Sequence, residues 1–353
     1  MDYLLDQLIR LKKILKVLSN LIFYLNPFRD KTMTIHLFFS KIGTLIKERR
    51  LPHGFVKIFR KYESIVVETS SLCNARCVWC WMYNSKRKDQ GLMSLENFKK
   101  FIDLNYKYLV KHKINIVPYH RGEPLLNRYF FEMLDYGHRK GITYIEFHTN
   151  LSVNVDMALL IEAPLPIILV NVGGTTREIH EKVMPGSSFD LVIRNLKRLL
   201  ELNKPNKPIF LKMNVTKGNY HQINELPRFF EMLGGNPINA LIGKMSFSLP
   251  AEASAEEIGI FFDNIVSDEI KDYLLFTYDD SHNIKSKESR CPYMIPTIKW
   301  DGKVTICCHD QLSRLDLGNA FNEPMDKILK SKRYYIAEEK GWKKHHHFCK
   351  ECN

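Results

Sequence analysis

The stretch Ser64-Ile-Val-Val-Glu-Thr69, followed by Cys73-Asn-Ala-Arg-Cys77-Val-Trp-Cys80, decides how this chain is interpreted. A β-branched run that fits a buried strand leads directly into a loop with three closely spaced cysteines. Three thiolates on one loop suit an iron–sulfur cube, because they bind three of its four irons and leave the fourth iron open to another ligand. A structural zinc site needs four ligands, and His53 is a poor fourth ligand, so zinc is the less favoured alternative.

The composition limits the class of protein. The chain has 353 residues, of which 45% are hydrophobic and 26% are charged. These values exclude a small disulfide scaffold, wholesale disorder and a polytopic membrane protein. The N-terminus has no secretory cleavage pattern, so the clustered cysteines indicate metal ligands in a reducing compartment rather than disulfides. We therefore expect a cytoplasmic protein.

Residues 1–60 form a basic amphipathic region with twelve Lys and Arg against four Asp and Glu. Its longest uncharged run, Val17 to Phe28, has 12 residues, whereas a membrane span needs about 20. Such a region can lie peripherally on an anionic membrane surface or pack against the outside of the following domain. The remaining basic excess is small and matches no nucleic-acid module, so nucleic acid is not expected as a partner.

From residue 64 the chain alternates strand and helix patterns. Strands are predicted at Ser64–Thr69, Ile114–Tyr119, Ile142–Phe147, Pro166–Val172, Ile209–Val215 and Ala240–Phe247. Helices are predicted at Leu92–Leu109, Arg128–Lys140, Phe189–Leu202 and Gln222–Leu233. Repeated βα units with right-handed crossovers build either a doubly wound α/β sheet or an open, partial barrel. The pattern changes after residue 285, where Asp301-Gly302 predicts a hairpin turn.

Several of these segments resemble motifs of the radical S-adenosylmethionine (radical SAM) family. Besides the cysteine loop, Gly122-Glu123-Pro124 follows the second strand and Thr149-Asn150 ends the third. The stretch from Val170 to His180 is similar to the family's fourth strand and following helix. Arg121 replaces a glycine of the family pattern and either contacts a substrate anion or forms a salt bridge within the barrel. The resemblance implies a partial (β/α)6 barrel.

The resemblance also implies how S-adenosylmethionine (SAM) binds. Its amine and carboxylate chelate the open iron of a [4Fe–4S] cluster on Cys73, Cys77 and Cys80. The Gly122-Glu123 segment accepts hydrogen bonds from the SAM ammonium. Trp79 either packs on the adenine or belongs to the core. Asn150 and Asn214 contact the ribose or carboxylate of SAM, or else are ordinary turn and strand-end residues.

The C-terminal cysteines form a second pattern. Cys291, Cys307 and the pair Cys349-Lys-Glu-Cys352 resemble the auxiliary-cluster extension called SPASM, in its shortened twitch form. The resemblance implies that these four thiolates hold one auxiliary [4Fe–4S] cluster, which makes two clusters in the protein. A zinc ribbon is the alternative, because two cysteine pairs also suit tetrahedral zinc.

Two residues beside Cys307 are catalytic candidates. Cys308 is either a hydrogen-atom donor or a buried strand residue on the opposite face, and the adjacency leaves open which of the two cysteines is the cluster ligand. Asp310 is a candidate to accept a proton from a substrate radical, although a loop polar residue is the commoner explanation.

These expectations give three regions and one leading reaction. Residues 1–60 form the basic region, 61–284 the radical SAM partial barrel, and 285–353 a small SPASM-like module of a β-hairpin and a helix. The resemblance implies that a 5′-deoxyadenosyl radical removes a hydrogen atom from a substrate carbon, oxidising an alcohol of a carbohydrate-like small molecule with electron transfer to the auxiliary cluster. The expected partners are a small-molecule or lipid-linked substrate and a reductant such as flavodoxin or ferredoxin. Peptide modification, by epimerisation or cross-linking, is the alternative, and a noncatalytic iron–sulfur electron carrier is an alternative of another class.

Overall fold

Six short strands follow one another in chain order, and we call the row that they form the arc. They are β1 (Ser64–Val67), β2 (Asn115–Val117), β3 (Phe147–Thr149), β4 (Ile168–Val172), β5 (Ile209–Asn214) and β6 (Ala240–Gly243). Neighbouring strands pair in parallel, except that β2 pairs with the segment before β3, through an isolated parallel bridge between Ile116 and Tyr144. The expected α/β architecture with parallel strands is thus confirmed.

The computed structural model describes residues 64–80, 90–203, 207–243, 259, 262–263, 265–274, 276–278, 284–286, 295–306 and 316–334, with backbone only at 276–278 and 284–286. The basic region at 1–60 and the five cysteines after Cys80 lie outside these residues. No helix in the described ranges is long and apolar enough to cross a bilayer.

Helices connect successive strands and cover the outside of the arc. They are α1 (Leu95–Lys111), α2 (Phe130–Arg139), α3 (Met157–Glu162), α4 (Arg177–Val183), α5 (Phe189–Leu202), α6 (Leu226–Met232) and, near the C-terminus, α7 (Met325–Leu329). In the described part of the chain, short 3-10 turns lie at Pro124–Leu126, Tyr220–Glu225, Pro237–Asn239 and Asp268–Tyr273. Ser94, Thr176 and Ser188 accept hydrogen bonds from backbone N–H groups in the first turns of α1, α4 and α5, which explains where these helices begin.

The strands have a helix-packed face and an inner face. On β5, Ile209, Leu211 and Met213 are buried in the main hydrophobic core together with residues of α5. The alternate positions, Phe210, Lys212 and Asn214, are only partly buried and point to the other side of the sheet. We call this second side of β3, β4 and β5 the inner face.

Two antiparallel strand pairs follow the arc. The first is β7 (Phe276–Tyr278) with β8 (Ile284–Ser286), and the second is β9 (Thr297–Ile298) with β10 (Val304–Thr305). The second pair is the hairpin predicted at Asp301-Gly302, and its turn places Gly302 at φ +87°, a conformation that glycine adopts without steric cost. Strand β9 also pairs in parallel with β1, so this hairpin extends the sheet of the arc.

Two predicted elements differ from the structure. The third strand was expected at Ile142–Phe147, but β3 begins only at Phe147. The apolar residues before it are held by α2, because Ile142 N donates to Gly137 O at 3.0 Å and Tyr144 Oη donates to Leu134 O at 2.9 Å. The helix expected at 222–233 is divided, since a 3-10 turn precedes α6 and a proline lies in the first turn of α6.

Asn195 fixes the loop that follows β3, and this generates a test of the fold. It is buried on α5, and its Nδ2 donates to Leu151 O at 3.0 Å and to Val153 O at 2.8 Å. Asn195→Ala should lower the free energy of unfolding by about 2 kcal/mol, because both buried carbonyls lose a donor. Urea denaturation measures this change. Lys197→Ala, exposed on the same helix, is the control, and an equal effect of the two substitutions would contradict this role.

Candidate metal and cofactor site

The cysteine loop follows β1 without forming a helix or strand of its own. Cys73, Cys77 and Cys80 are all partly buried. A turn in which Cys80 N donates to Cys77 O at 2.8 Å brings the last two cysteines near each other. The Arg76 guanidinium donates to Cys73 O at 2.9 Å and so braces the first half of the loop.

The turn between α4 and α5 holds the backbone of this loop. Arg76 N donates to Pro185 O at 2.6 Å, and Val78 N donates to Val183 O at 3.0 Å. Gly186 has φ +83°, and a Cβ built there would lie 2.4 Å from Asn74 O. Only glycine therefore fits at this position, both for its backbone conformation and for the close approach of the two chain segments.

The side chain of His180 holds the turn between α4 and α5 in place. Gly173 N donates to His180 Nδ1 at 3.2 Å, and His180 Nε2 lies 3.0 Å from Ser187 Oγ. Burial lowers the pKa of His180 to about 4, so the ring is neutral at physiological pH. Because Nδ1 accepts from Gly173, Nε2 carries the proton and donates to Ser187.

A pair of asparagines joins the cysteine loop to the end of β3. Asn150 Nδ2 lies 2.9 Å from Asn74 Oδ1 and 3.7 Å from Cys73 Sγ. Asn150 Oδ1 accepts from Ser152 N at 2.8 Å, and Asn74 Nδ2 donates to Ser152 O at 2.8 Å. The amide of Asn150 is thus engaged by the loop, and its expected contact with SAM stays a prediction.

Glu123 connects the segment after β2 with the C-terminal end of β3. Its buried carboxylate accepts from Asn150 N at 2.7 Å, Thr149 Oγ1 at 2.9 Å and Leu125 N at 3.2 Å. Burial raises the pKa of Glu123 to about 7, although these three hydrogen bonds act in the opposite direction. Two carboxylate oxygens offer about four acceptor positions, so one remains for a donor such as an ammonium.

Gly122 allows a close contact between two backbone segments because it has no side chain. A Cβ at this position would lie 2.4 Å from Ser70 O and 2.5 Å from Leu72 O. The segment that carries Glu123 therefore packs backbone to backbone against the residues just before the cysteine loop, and Glu123 N donates to Leu72 O at 2.8 Å.

The donor set of the loop fits an iron–sulfur cluster. Burial raises the pKa of Cys73 to about 12, and burial together with the nearby Cys80 and Cys73 raises that of Cys77 well above its usual range. Buried thiolates that repel one another need a compensating cation, which the irons of a cluster provide. Within the described ranges no three His, Cys, Asp or Glu side chains form a group that could hold a metal ion. In a cube each cysteine binds a different iron, so convergence on one point is not required.

The other predicted site residues have different positions. Trp79 packs against a small apolar cluster that contains Val215 and Phe262. The sequence left two roles open for Trp79, packing on the adenine and packing in the core, and this contact corresponds to the second. Asn214 ends β5, and its backbone carbonyl accepts from Asn219 Nδ2 at 2.9 Å. The remaining predicted residues lie outside the described ranges: Cys291, Cys307, Cys308, Asp310, Cys349 and Cys352.

Arg121 forms a salt bridge within the barrel, one of its two predicted roles. Its Nε lies 2.7 Å from Glu68 Oε1 and its Nη2 lies 3.0 Å from Glu68 Oε2, with both side chains buried. His120 Nδ1 lies 3.3 Å from the same carboxylate. Glu68 directly follows β1, and the sequence offered no signal for this partner.

Sequence reasoning also missed a polar group on the inside of the arc. Tyr119 Oη donates to Glu146 Oε1 at 2.7 Å, and the Tyr119 ring stacks on His148 at a centroid distance of 4.7 Å. His148 Nε2 lies 3.5 Å from Glu146 Oε1. Glu146 also attracts the ammonium of Lys212 electrostatically. The signal that could have found this group is the alternation of polar residues, Lys212 and Asn214 on β5 and Glu146 and His148 in the segment that leads into β3.

The tight contact at Gly186 generates a prediction about cluster retention. Gly186→Ala should lower the iron bound per chain several-fold, because the new Cβ collides with the backbone of the cysteine loop. Iron and sulfide analysis after anaerobic reconstitution measures this loss. The matched control is Gly234→Ala, since Gly234 also has a positive φ, +93°, but nothing lies within 4 Å of its Cβ position. Equal iron content in both variants would show that strain, and not the contact, is responsible.

Comparisons with known proteins agree with this geometry. The model of the Radical SAM superfamily matches residues 67–233, and the model of the SPASM iron–sulfur cluster-binding domain matches residues 291–353. The mycofactocin maturase MftC of Mycobacterium tuberculosis is 26% identical over 162 residues, which are 45% of this chain and 39% of that protein. The chain thus spans about two fifths of the length of this curated relative.

Two solved structures have a similar fold. The structure of anSMEcpe with bound AdoMet and the Cp18Cys peptide has a TM-score of 0.56 and 18% identity, covering 82% of this chain and 86% of that one. SuiB of Streptococcus suis bound to the precursor peptide SuiA has a TM-score of 0.53 and 15% identity, covering 87% and 72%. With the cysteine loop at the end of β1 and the two family models in the expected order, the chain carries a Radical SAM superfamily domain at residues 67–233 and a SPASM iron–sulfur cluster-binding domain at residues 291–353.

Proposed function

We propose that this protein cleaves SAM reductively and removes a hydrogen atom from a peptide bound at the open interior of the arc. The observation that carries the proposal is the position of the three thiols, at the carboxyl edge of the parallel strands beside Glu123 and Asn150. Ligands of open α/β sheets gather at this edge. A noncatalytic electron carrier would have no need for a buried carboxylate braced beside its cysteine loop.

The residues of the site have separate parts in this reaction. Cys73, Cys77 and Cys80 would hold a [4Fe–4S] cluster, and Glu123 would accept a hydrogen bond from the SAM ammonium. When bound, the cluster supplies an electron that splits SAM into methionine and a 5′-deoxyadenosyl radical. The protein's own contribution is to hold the loop rigid through the α4–α5 turn and to orient the substrate carbon.

A peptide substrate is favoured by the relatives. A curated relative is a maturase, and two of the solved structures with a similar fold contain peptides. Oxidation of a carbohydrate-like alcohol is the second candidate, and the polar group of Tyr119, Glu146 and His148 on the inside of the arc favours it, because these side chains suit hydroxyl groups. In alcohol oxidation or peptide cross-linking the substrate radical would lose a proton to a base and an electron to an acceptor, whereas in epimerisation it would regain a hydrogen atom from a donor.

The SPASM match suggests that acceptor. Within residues 285–353 we propose that Cys291, Cys307, Cys349 and Cys352 hold an auxiliary [4Fe–4S] cluster, with a flavodoxin or ferredoxin as the external reductant of the first one. Two cubes correspond to about eight irons per chain. A measured content of about four irons plus one zinc would instead support the zinc ribbon.

Substitution of the cysteines distinguishes the roles of the two clusters. The triple variant of Cys73, Cys77 and Cys80 to Ala should form no 5′-deoxyadenosine above background, because no cluster is present to deliver the electron. Cys349→Ala should still form 5′-deoxyadenosine, since the auxiliary cluster acts after SAM cleavage. Chromatography of anaerobic mixtures with SAM and dithionite measures the product. A cluster-loaded wild type that forms none would overturn the enzyme assignment.

The mass of the peptide and the transfer of an isotope label from the substrate identify the substrate class. Short peptides encoded beside the gene should increase 5′-deoxyadenosine formation several-fold and should themselves lose two mass units on oxidation or cross-linking. Epimerisation would leave the peptide mass unchanged in water and add one unit in D2O. Stimulation by cyclitols and not by peptides would favour the alcohol candidate. Deuterium transfer from the labelled substrate to 5′-deoxyadenosine identifies the reacting carbon.

A further inference from the structure

The side-chain amide of Asn150 faces the first cysteine of the loop. Asn150 directly follows β3 and is 5% exposed. Its Nδ2 lies 2.9 Å from Asn74 Oδ1 and 3.7 Å from Cys73 Sγ. An amide nitrogen carries two hydrogens, so each of these acceptors receives one. The longer distance fits an N–H···S hydrogen bond, because sulfur is a larger atom than oxygen.

The backbone of Ser152 determines which way both amides point. Ser152 N donates to Asn150 Oδ1 at 2.8 Å, so the NH2 end of the Asn150 amide faces the cysteine loop. Ser152 O accepts from Asn74 Nδ2 at 2.8 Å, so Asn74 presents its oxygen to Asn150. A backbone N–H only donates and a backbone carbonyl only accepts, so neither amide can be reversed without losing a hydrogen bond. These two backbone groups therefore ensure that a hydrogen, and not an oxygen lone pair, faces Cys73.

Glu123 holds the main chain of Asn150 and acts on the same sulfur. Its Oε2 accepts from Asn150 N at 2.7 Å, so the backbone and the side chain of Asn150 are both fixed. The negative charge of Glu123 disfavours negative charge on the Cys73 sulfur. The Asn150 N–H group has the opposite effect, because its hydrogen carries a partial positive charge. Cys73 thus lies between a carboxylate and a hydrogen-bond donor.

A donor at a ligand sulfur changes how readily an iron–sulfur cluster takes up an electron. Reduction adds negative charge that the ligand sulfurs share, and an N–H group directed at one of them stabilises that charge. Hydrogen bonds to the sulfurs are among the features that set the reduction potential of such clusters. The direction of the Asn150 amide therefore bears on the electron that SAM cleavage requires.

We propose that Asn150 donates an N–H···S hydrogen bond to Cys73 and thereby raises the reduction potential of the first cluster, with Asn74 as the residue that positions Asn150. The first cluster is the [4Fe–4S] cluster assigned above to Cys73, Cys77 and Cys80, and the inference rests on the proposed function in this respect only. The role differs from the contact with SAM that the sequence motif implies, because it does not require SAM to be bound.

Redox titration of the full-length protein without SAM measures this effect. Electron paramagnetic resonance follows the reduced first cluster, whose signal is the one that the triple Cys→Ala variant lacks. At the wild-type midpoint potential, Asn150→Leu and Asn150→Ala should lower the ratio of reduced to oxidised cluster about 10-fold, which corresponds to about 59 mV for one electron. Leucine keeps the volume of the side chain, and alanine serves as a second variant without a donor.

Asn195→Ala is the matched control. Asn195 also holds the loop after β3, and both hydrogens of its Nδ2 are used there, on Leu151 O and Val153 O. It therefore has no donor left for a cluster sulfur. This substitution should destabilise the protein and leave the reduction potential of the first cluster unchanged.

A double-mutant cycle tests the positioning role of Asn74. Asn74→Ala should lower the reduced-to-oxidised ratio by a smaller factor than Asn150→Ala, because Asn150 keeps its donor but loses the acceptor that orients it. The double variant should show no further decrease beyond that of Asn150→Ala, since Asn74 acts through Asn150. Additive effects of the two substitutions would contradict this role.

The wild type gives a readout that needs no substitution at Asn150. Asparagine labelled with 15N in its side-chain amide should add a 15N coupling to the pulsed resonance spectrum of the reduced first cluster. Exchange into D2O should replace a proton coupling by a deuteron coupling in the same spectrum. The absence of both couplings would overturn the proposal, even if the Asn150 variants failed to retain iron.

Two results of the titrations would also overturn it. One is an unchanged potential in both Asn150 variants at wild-type iron content. The other is an equal decrease in Asn195→Ala, which would assign the change to a loosened loop. A triple Cys→Ala variant that kept the cluster signal would contradict the proposed ligands and this inference with them. A first cluster that is reduced but does not cleave SAM would count against the proposed function alone.

Discussion

The geometry of the site depends on two backbone hydrogen bonds that the cysteine loop donates to another part of the chain. The loop has no ladder of its own, so Pro185 O and Val183 O accept the N–H groups of Arg76 and Val78 instead. Such bonds do not depend on side-chain identity at either end. They require only that the α4–α5 turn has the right shape, and His180 and Gly186 give it that shape.

Side-chain hydrogen bonds connect the cysteine loop to the ends of β2 and β3. Glu123 accepts from Thr149 and Asn150, and Asn150 in turn reaches Asn74 and Cys73. A carboxylate buried in this way is costly to ionise unless donors surround it. The donors come from the third strand, so the groups expected to contact SAM and those expected to bind iron are parts of one network. A substitution at any residue of this network should alter the effect of a substitution at the others, because the free-energy effects of substitutions at residues in contact are not additive.

The sequence predicted the parallel arc and the cysteine loop well, because both depend on local patterns: β-branched runs, helix periodicity and cysteine spacing. It misplaced β3, because the apolar residues before Phe147 are used to pack on α2 instead of extending the strand. It could not choose between the roles of Arg121, since its partner Glu68 is distant in the chain. Contacts of this kind depend on the register between strands, which one sequence does not reveal.

The inner face shows what strand periodicity alone can and cannot decide. Alternation in β5 places Lys212 and Asn214 away from the helices, and that much follows from a repeat of two. Whether a lysine there is neutralised depends on what lies across the interior, and in the described residues Glu146 is occupied by Tyr119. A desolvated cation is unfavourable in the free protein. Because Lys212 is only partly buried, water offsets part of this cost.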